Sequence, residues 1–575
     1  MGVGQADLLI RGALVHDGDG GPGYAADILI AGDRIAHVGA PGVGQAHRVL
    51  DADGLVAAPG FVDLHSHSDY HLFLAPEAES SLRQGVTLEI GGNCGYAPAP
   101  IWSAWQAERA EEYQSRYGLA CPWRTLGEYF VALDAARPAV NYGQLIGHNT
   151  LRGSATGGAA RPVSPQELSA MLEATRQGMR AGALGLSTGL AYPPACYADP
   201  AELIALSKAV CELGGILAAH VRSEGDALLE ALDEILGVAR AAAIPLQISH
   251  LKTMHERNWT KLEAALASIE AAQASGVDVT ADRYPYTAAN TGLDAILPRW
   301  AVEGSRREWL ARLGDPLPRT RLLAELAARP ESIWDQIVIA EVRHPRYRVH
   351  QGLTVAKAAV RERTRPEAFT VDLLAAEGGQ VAALYHAMSG ANLDRILSCD
   401  WVMIGSDSGC RTVGDSLGRG IPHPRTFGTF VRTVGPLVRE SRLFSLETAI
   451  RKLTADPCRR LGLVDRGRLA PGFHADLVLF DPARVRDTAT YEKPWSFPEG
   501  VYHVLVNGQL AVEDGGLTGA RSGRVIRRAS ARPVDGSRSP VGARARGVQP
   551  IEPTPGIDGR GAPRPGRSRS HGGLS

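Results

Sequence analysis

Two histidines, His65 and His67, end an apolar stretch that reads Pro59-Gly60-Phe61-Val62-Asp63-Leu64-His65-Ser66-His67. In an extended strand, residues i and i+2 point to the same face. Both imidazoles would therefore meet one volume, a geometry that suits a metal ion. A bare His-x-His pair is more often a polar loop, and the weight of this one comes from the rest of the chain. Cys94 follows an apolar run in Gly91-Gly92-Asn93-Cys94-Gly95, His220 and His250 each end another, and Asp407 ends a fourth in Ile404-Gly405-Ser406-Asp407. Alone, a buried cysteine or a single histidine is a packing residue. Repetition of ligand-competent types at the same place in successive strands makes coincidence a poor account. A cysteine with two histidines is a borderline-soft donor set that suits Zn²⁺ and leaves a fourth position for water. Water on such an ion has a pKa lowered to about 7. Asp407 is then the general base that orients the water, and afterwards the acid that hands the proton to a leaving nitrogen. His65 and His67 either hold a second ion or serve as donors beside a single one.

These residues need a scaffold that brings many strand ends together. Apolar runs at Val86–Gly91, Asn141–Gly147, Ala183–Ser187, Gly215–His220, Pro245–His250, Val277–Asp282 and Trp401–Asp407 alternate with helical patterns. The helices carry start signals. Ser164-Pro165-Gln166-Glu167 is a capping box with proline at the first helical position, and Asp199-Pro200 with Glu202 repeats it. With the strand before His65, eight strands alternate with helices, which predicts a parallel sheet. The fold class is α/β, a TIM-type (β/α)8 barrel whose active site lies at the C-terminal ends of its strands. Residues 6–57 and 466–528 have instead the texture of short strands and turns, such as Ala26–Ile30 and Val501–Val506 before Asn507-Gly508. We expect residues 1–57 and 466–528 to build one small β-sandwich from both chain ends, and residues 58–465 to form the barrel. The stretch 285–345, rich in Pro, Arg and Trp, reads as a lid-like insertion over the barrel mouth. Residues 529–575, rich in Arg, Pro, Gly and Ser, read as a disordered tail.

Composition excludes other classes. A chain of 575 residues with a net charge of −1 gives no electrostatic support to nucleic-acid or membrane-surface binding. No apolar run approaches the ~20 residues that span a bilayer, and no signal peptide opens the chain. Seven scattered cysteines argue against a disulfide framework and for a reducing cytoplasm. The partner expected is a small-molecule substrate, and nothing in the sequence speaks to oligomeric state.

His65-Ser66-His67 with Asp407 resembles the amidohydrolase superfamily, and within it the N-acyl-D-amino-acid deacylases (D-aminoacylases). The stretches that carry the resemblance are GVTLEIGGNCG (85–95), GLAYPPACYA (189–198), AAHVRSEGD (218–226), QISHLK (247–252), NW (258–259), VTADRYPYTA (279–288), WVMIGSDSG (401–409) and HPRTFGTF (423–430). The resemblance spans about residues 6 to 528. It implies a barrel with a β-sandwich, a zinc held by Cys94, His220 and His250, and a second, weaker divalent site near His65, His67 and Asp407. Hydantoinases and dihydroorotases of the wider superfamily use a carboxylated lysine at the end of strand four. Here that region reads Gly185-Leu186-Ser187-Thr188-Gly189, and the resemblance implies that Cys94 bridges in its place. Motif by motif, Lys252, Tyr284 and Arg425 correspond to substrate contacts, and an Arg fork suits the carboxylate of an N-acyl amino acid. Ser68-Asp69-Tyr70 and Met254-His255 depart from the family pattern at positions expected to line the substrate pocket. The activity implied is zinc-dependent hydrolysis of N-acyl-D-amino acids to a carboxylate and a free D-amino acid, its D-stereochemistry coming wholly from the resemblance. The alternatives are another amidohydrolase activity, such as a cyclic-amide hydrolase or a dipeptidase, and a non-catalytic scaffold of the same fold.

Overall fold

In the computed structural model, which describes residues 6–42, 44–414 and 420–528, eight short parallel strands form a nearly closed barrel. In chain order they are Phe61–Asp63, Val86–Gly91, Asn141–Gly147, Gly185–Gly189, Ile216–His220, Leu246–Ile248, Val279–Arg283 and Val402–Ile404, each hydrogen-bonded to the one before it. The ring closes between the first and eighth strands just beyond their ends. Asp407 N–H donates to His65 O at 2.7 Å, and His67 N–H to Ser408 O at 3.0 Å. The last backbone bonds of the barrel are thus made by the residues singled out for chemistry.

Helices pack their apolar stripes on the outside of this ring. Leu228–Ala242 buries Leu232, Ile235, Leu236 and Ala239, spaced at three and four residues, as a one-sided helix must. Helix Pro165–Ala181 starts with the capping box read from the sequence: Ser164 accepts from Glu167 N–H, and Glu167 reaches back to Ser164 N–H. The second predicted box differs. Asp199 caps helix Pro200–Cys211 by accepting from Glu202 N–H at 2.8 Å. The Glu202 side chain, however, turns inward to His148 Nε2 at 2.8 Å and to the Arg152 guanidinium. A buried cation needs a carboxylate more than a helix terminus does.

That buried cluster makes a stability prediction. Burial would raise the Glu202 carboxyl, but His148 and Arg152 hold it below the usual range. Its contribution is therefore complete above the unfolded pKa of about 4.3 and is lost as pH falls through the lowered folded value. Glu202→Ala, which leaves Arg152 buried without its carboxylate, should cost about 3–5 kcal/mol at neutral pH. The deficit should shrink in acid, as chemical denaturation at two pH values would read. An equal deficit at both values would remove the carboxylate from the account.

Both chain ends meet in one nine-stranded sheet, where Val56–Pro59 pairs antiparallel with Leu477–Phe480. Leu8, Ile10, Ile28, Leu477 and Leu505 fill a core of its own. Between the seventh and eighth barrel strands stands a larger insertion than the 285–345 stretch. A three-stranded sheet of Ala289–Gly292, Ala382–Tyr385 and Ile337–Glu341 is packed by helices that continue to Ala376. Leu293, Leu326, Trp334, Phe369 and Val371 form its separate core. Composition marked only the Pro- and Trp-rich part, because helices Val355–Arg361 and Pro366–Ala376 have ordinary composition. The tail expected to be disordered, 529–575, lies outside the described residues. Among the described residues no helix is long and apolar enough to cross a membrane, and Cys94, Cys121, Cys196, Cys211, Cys399 and Cys458 carry free thiols.

Candidate active site

All six candidate ligands gather at the C-terminal mouth of the barrel. The donor atoms of Cys94, His220 and His250 lie within 4.8 Å of one another, as do those of His65, His67, Cys94 and Asp407. Cys94 belongs to both groups and stands between them. Its Sγ is 3.4 Å from His250 Nε2 and 3.4 Å from His65 Nε2. Sulfur and nitrogen donors on one tetrahedral zinc, with bonds of about 2.3 and 2.0 Å, stand about 3.5 Å apart. His220 Nδ1 is buried and has no hydrogen-bond partner. A buried orphan nitrogen is costly unless a ligand satisfies it. Donor type, spacing and orphan atom all fit zinc.

Three of these residues leave their strands in a left-handed conformation: Cys94 at φ 51°, His250 at φ 36° and Asp407 at φ 52°. This is why strands six and eight stop at Ile248 and Ile404, short of the expected His250 and Asp407. A side chain that would alternate along the sheet is turned over the barrel axis instead. Such backbone costs about 1–3 kcal/mol per residue and clusters at functional sites.

A carboxylate stands behind each of two histidines. His65 Nδ1 faces Asp282 Oδ1 at 2.9 Å. His250 Nδ1 faces Glu224 Oε1 at 3.0 Å. At His65 a proton held on Nδ1 by Asp282 leaves Nε2 free as a ligand, and in both residues Nε2 is the atom that meets Cys94. Burial would raise the Cys94 thiol, but the His250 and His65 imidazoles prevail and hold it well below the usual thiol range. Asp407 behaves alike: burial would raise its carboxyl, while Arg425 and His250 hold it well below the carboxylate range. It is a buried base kept ionised. His67 Nε2 lies 3.0 Å from Asp407 Oδ1, and Arg425 Nη1 lies 2.8 Å from Asp407 Oδ2.

A cavity of about 660 Å³ opens over this centre and is lined by His67, Cys94, His220, His250 and Asp407. Lys252, Tyr284 and Arg425 line it as well. Arg425 is carried by a helix. It is the first residue of helix Arg425–Val434, next to the cap residue Pro424, and is 3% exposed. Its guanidinium carbon lies 4.5 Å from the Tyr284 ring centroid. Arg425 Nε and Nη1 and Tyr284 Oη are buried without a hydrogen-bond acceptor or donor, since Nη1, though near Asp407, is not aligned to donate to it. Burial would raise the Tyr284 hydroxyl, but Lys252, Arg283 and Arg425 bring it below the usual tyrosine value. Lys252 stands beside the metal-ligand residues. It is buried, ion-paired with Glu224, and its Nζ lies 2.8 Å from His250 Nδ1.

The two departures from the family pattern separate. Met254 and His255 line the cavity. Ser68, Asp69 and Tyr70 are buried outside it: Ser68 Oγ accepts from Cys410 N–H, and the Tyr70 ring stacks on Tyr113 at 3.8 Å. The sequence reading missed Asp282 and Glu224. Asp282 ends the expected seventh strand, and Glu224 lies four residues after His220. An acid at a barrel strand's end, or just after one, was the available signal. Tyr96 and Tyr192 were missed as well; both line the cavity, and the Tyr192 ring lies 4.8 Å from that of His220.

Comparison with known proteins followed from this geometry. A family model described as the amidohydrolase family matches residues 48–512. The chain is similar to the N-acyl-D-glutamate deacylase of Alcaligenes xylosoxydans xylosoxydans, 38% identical over 530 residues that cover 91% of this chain and 97% of that one. Among solved structures it is similar to the N-acyl-D-glutamate deacylase of Bordetella bronchiseptica, complexed with zinc and a phosphonate inhibitor that mimics the tetrahedral intermediate. That match has a TM-score of 0.76 and 32% identity, and covers 91% of this chain and 100% of that chain. A D-aminoacylase described by one-metal activation and second-metal attenuation of its binuclear centre matches at TM-score 0.76 and 33% identity, with coverage of 91% and 100%.

Proposed function

We propose, for a chain that belongs to the amidohydrolase family, the metal-dependent hydrolysis of N-acyl-D-amino acids to a carboxylate and a free D-amino acid. The observation that carries the reading to this substrate class is the pair of orphan polar atoms, Arg425 Nε and Tyr284 Oη, beside the metal-ligand cluster. Buried donors without acceptors are what a bound anion satisfies. An N-acyl amino acid brings its carboxylate there while its amide reaches Asp407. Lys252 adds positive charge from the same side.

Zinc held by Cys94, His220 and His250 would supply Lewis acidity to the amide carbonyl and to the attacking water. We assign the second, weaker divalent position to His65, His67, Asp407 and the shared Cys94. Asp407 takes the water proton on Oδ1 and returns it to the amide nitrogen as the C–N bond breaks. Arg425 holds Oδ2 and so fixes the plane of that carboxylate. Asp282 keeps His65 presenting Nε2. The free thiols agree with a reducing compartment, and we assign the protein to the cytoplasm on that ground.

The test is a chiral assay against paired N-acetyl-D- and N-acetyl-L-amino acids, with turnover of the D-series expected. Preference for L-substrates, or for cyclic amides, would favour the neighbouring activities. The carboxylate assignment has its own prediction. Arg425→Lys should lower kcat/KM by about 10- to 100-fold, because an ammonium cannot reproduce the fork and a charge-assisted contact is worth about 1.5–3 kcal/mol. Arg425→Ala should narrow the gap between a free-acid substrate and its carboxamide. If that ratio is unchanged, the carboxylate is held elsewhere, and Lys252 is the next residue to test.

A further inference from the structure

A second cavity, of about 680 Å³, adjoins the first. It lies between helix Ser103–Tyr117 and helix Arg306–Gly314 of the insertion. Tyr96, Tyr192, Pro193, Asp294 and Val302 line both cavities and form the partition between them. We infer that this second cavity is the acyl subsite and that it takes large apolar acyl groups, medium-chain fatty or arylacetyl, in preference to acetyl. The inference rests on the proposed hydrolysis and names its acyl half.

The direction follows from the ring. In an eight-stranded barrel, strands four and eight face each other. Arg425 and Asp407 follow the eighth strand, and Tyr192 follows the fourth. The scissile carbonyl carries two substituents. If the amino-acid half turns to Arg425 and Tyr284, the acyl half leaves the metal-ligand cluster on the opposite side, toward Tyr192 and Tyr96. Beyond these two tyrosines lies the second cavity.

Its inner walls are aromatic, while Glu108, Glu111 and Arg307 stand exposed at its rim. Trp105, Trp309 and Leu310 line it beyond the partition. Trp105 lies over Gly153, where an added Cβ would come within 2.4 Å of the indole, and Trp309 lies over Gly379, where one would come within 2.2 Å. Neither wall could stand where it does if those two positions carried a side chain. Of its three lining cations, Arg109 donates to Glu112 at 2.9 Å, Arg306 donates to Gly378 O at 2.8 Å, and Arg307 is exposed to solvent. An apolar occupant therefore fits better than an anionic one. The volume lies within the ~300–1,000 Å³ of ligand cavities, far more than the methyl of an acetyl group needs.

The experiment measures kcat/KM of the zinc-loaded full chain for the N-acetyl, N-butanoyl, N-octanoyl and N-phenylacetyl derivatives of one D-amino acid. A fully buried methylene is worth about fourfold, so the octanoyl substrate should exceed the acetyl by at least about tenfold even with partial burial. Leu310→Trp, which fills the cavity, should erase most of that advantage, read as the ratio of octanoyl to acetyl kcat/KM. Trp105→Ala, which widens it, should lower the ratio of phenylacetyl to acetyl kcat/KM. A flat or falling profile with chain length in the unmodified protein overturns the inference, as does an unchanged profile in both variants. Absence of turnover on every N-acyl-D-amino acid, acetyl included, overturns the underlying reading and this one with it. Acetyl turnover without chain-length preference overturns only the subsite.

Discussion

Asp407→Asn should lower kcat by about 10²–10⁴-fold, the range of general acid–base catalysis, and change KM far less. The substitution keeps the shape of the side chain and an oxygen for Arg425, but an amide takes no proton from water. In the folded protein Asp407 is buried and held ionised by Arg425 and His250, so it stands ready as a base before substrate arrives. A role confined to the transition state depresses kcat and kcat/KM together. Asp407 is outside the group formed by Cys94, His220 and His250, so metal analysis of the variant should still find the tightly bound zinc. Steady-state kinetics beside metal analysis separate proton transfer from metal loss. An unchanged kcat would remove Asp407 from the chemistry.

Cys94→Ala should lose nearly all of about one tightly bound zinc per chain, and with it nearly all turnover. Two imidazoles alone do not complete a set of three protein ligands, and Cys94 is the donor common to both groups. The alanine variant keeps a Cβ and therefore the same left-handed backbone cost at φ 51°, so a difference reports the thiolate. Cys94→Gly should lose the metal equally while relieving strain of about 1–2 kcal/mol, which gives a metal-free chain of undiminished fold. Elemental analysis after exhaustive dialysis reads both. Normal zinc in either variant would place the tight site on other donors.

The sequence by itself determined the barrel, because an apolar run between helical patterns is a local property. Each of the eight strands was visible as such a run, and the ligand types were visible at their ends. Cys94, His220, His250 and Asp407 were legible for that reason, and Tyr284 and Arg425 through the motifs around them. What the local pattern could not carry is any choice made between distant partners. His65 takes Asp282 across 217 positions of sequence, and His67 meets Asp407 across 340. Those pairings exist only once the ring has closed. The left-handed turns at Cys94, His250 and Asp407 are likewise decided from outside: nothing in a β-favouring run announces that its last residue will be bent over the axis. Glu202 shows the same order of authority. Its position after Asp199-Pro200 called for a capping box, yet the buried Arg152 and His148 drew its carboxylate inward. The second cavity belongs to the tertiary structure alone, since its walls come from a helix after the second strand and a helix inside the insertion. Local sequence sets which residues are available at each strand end; packing in three dimensions sets which of them meet, because buried charges and unpaired donors cost more than the backbone strain needed to satisfy them.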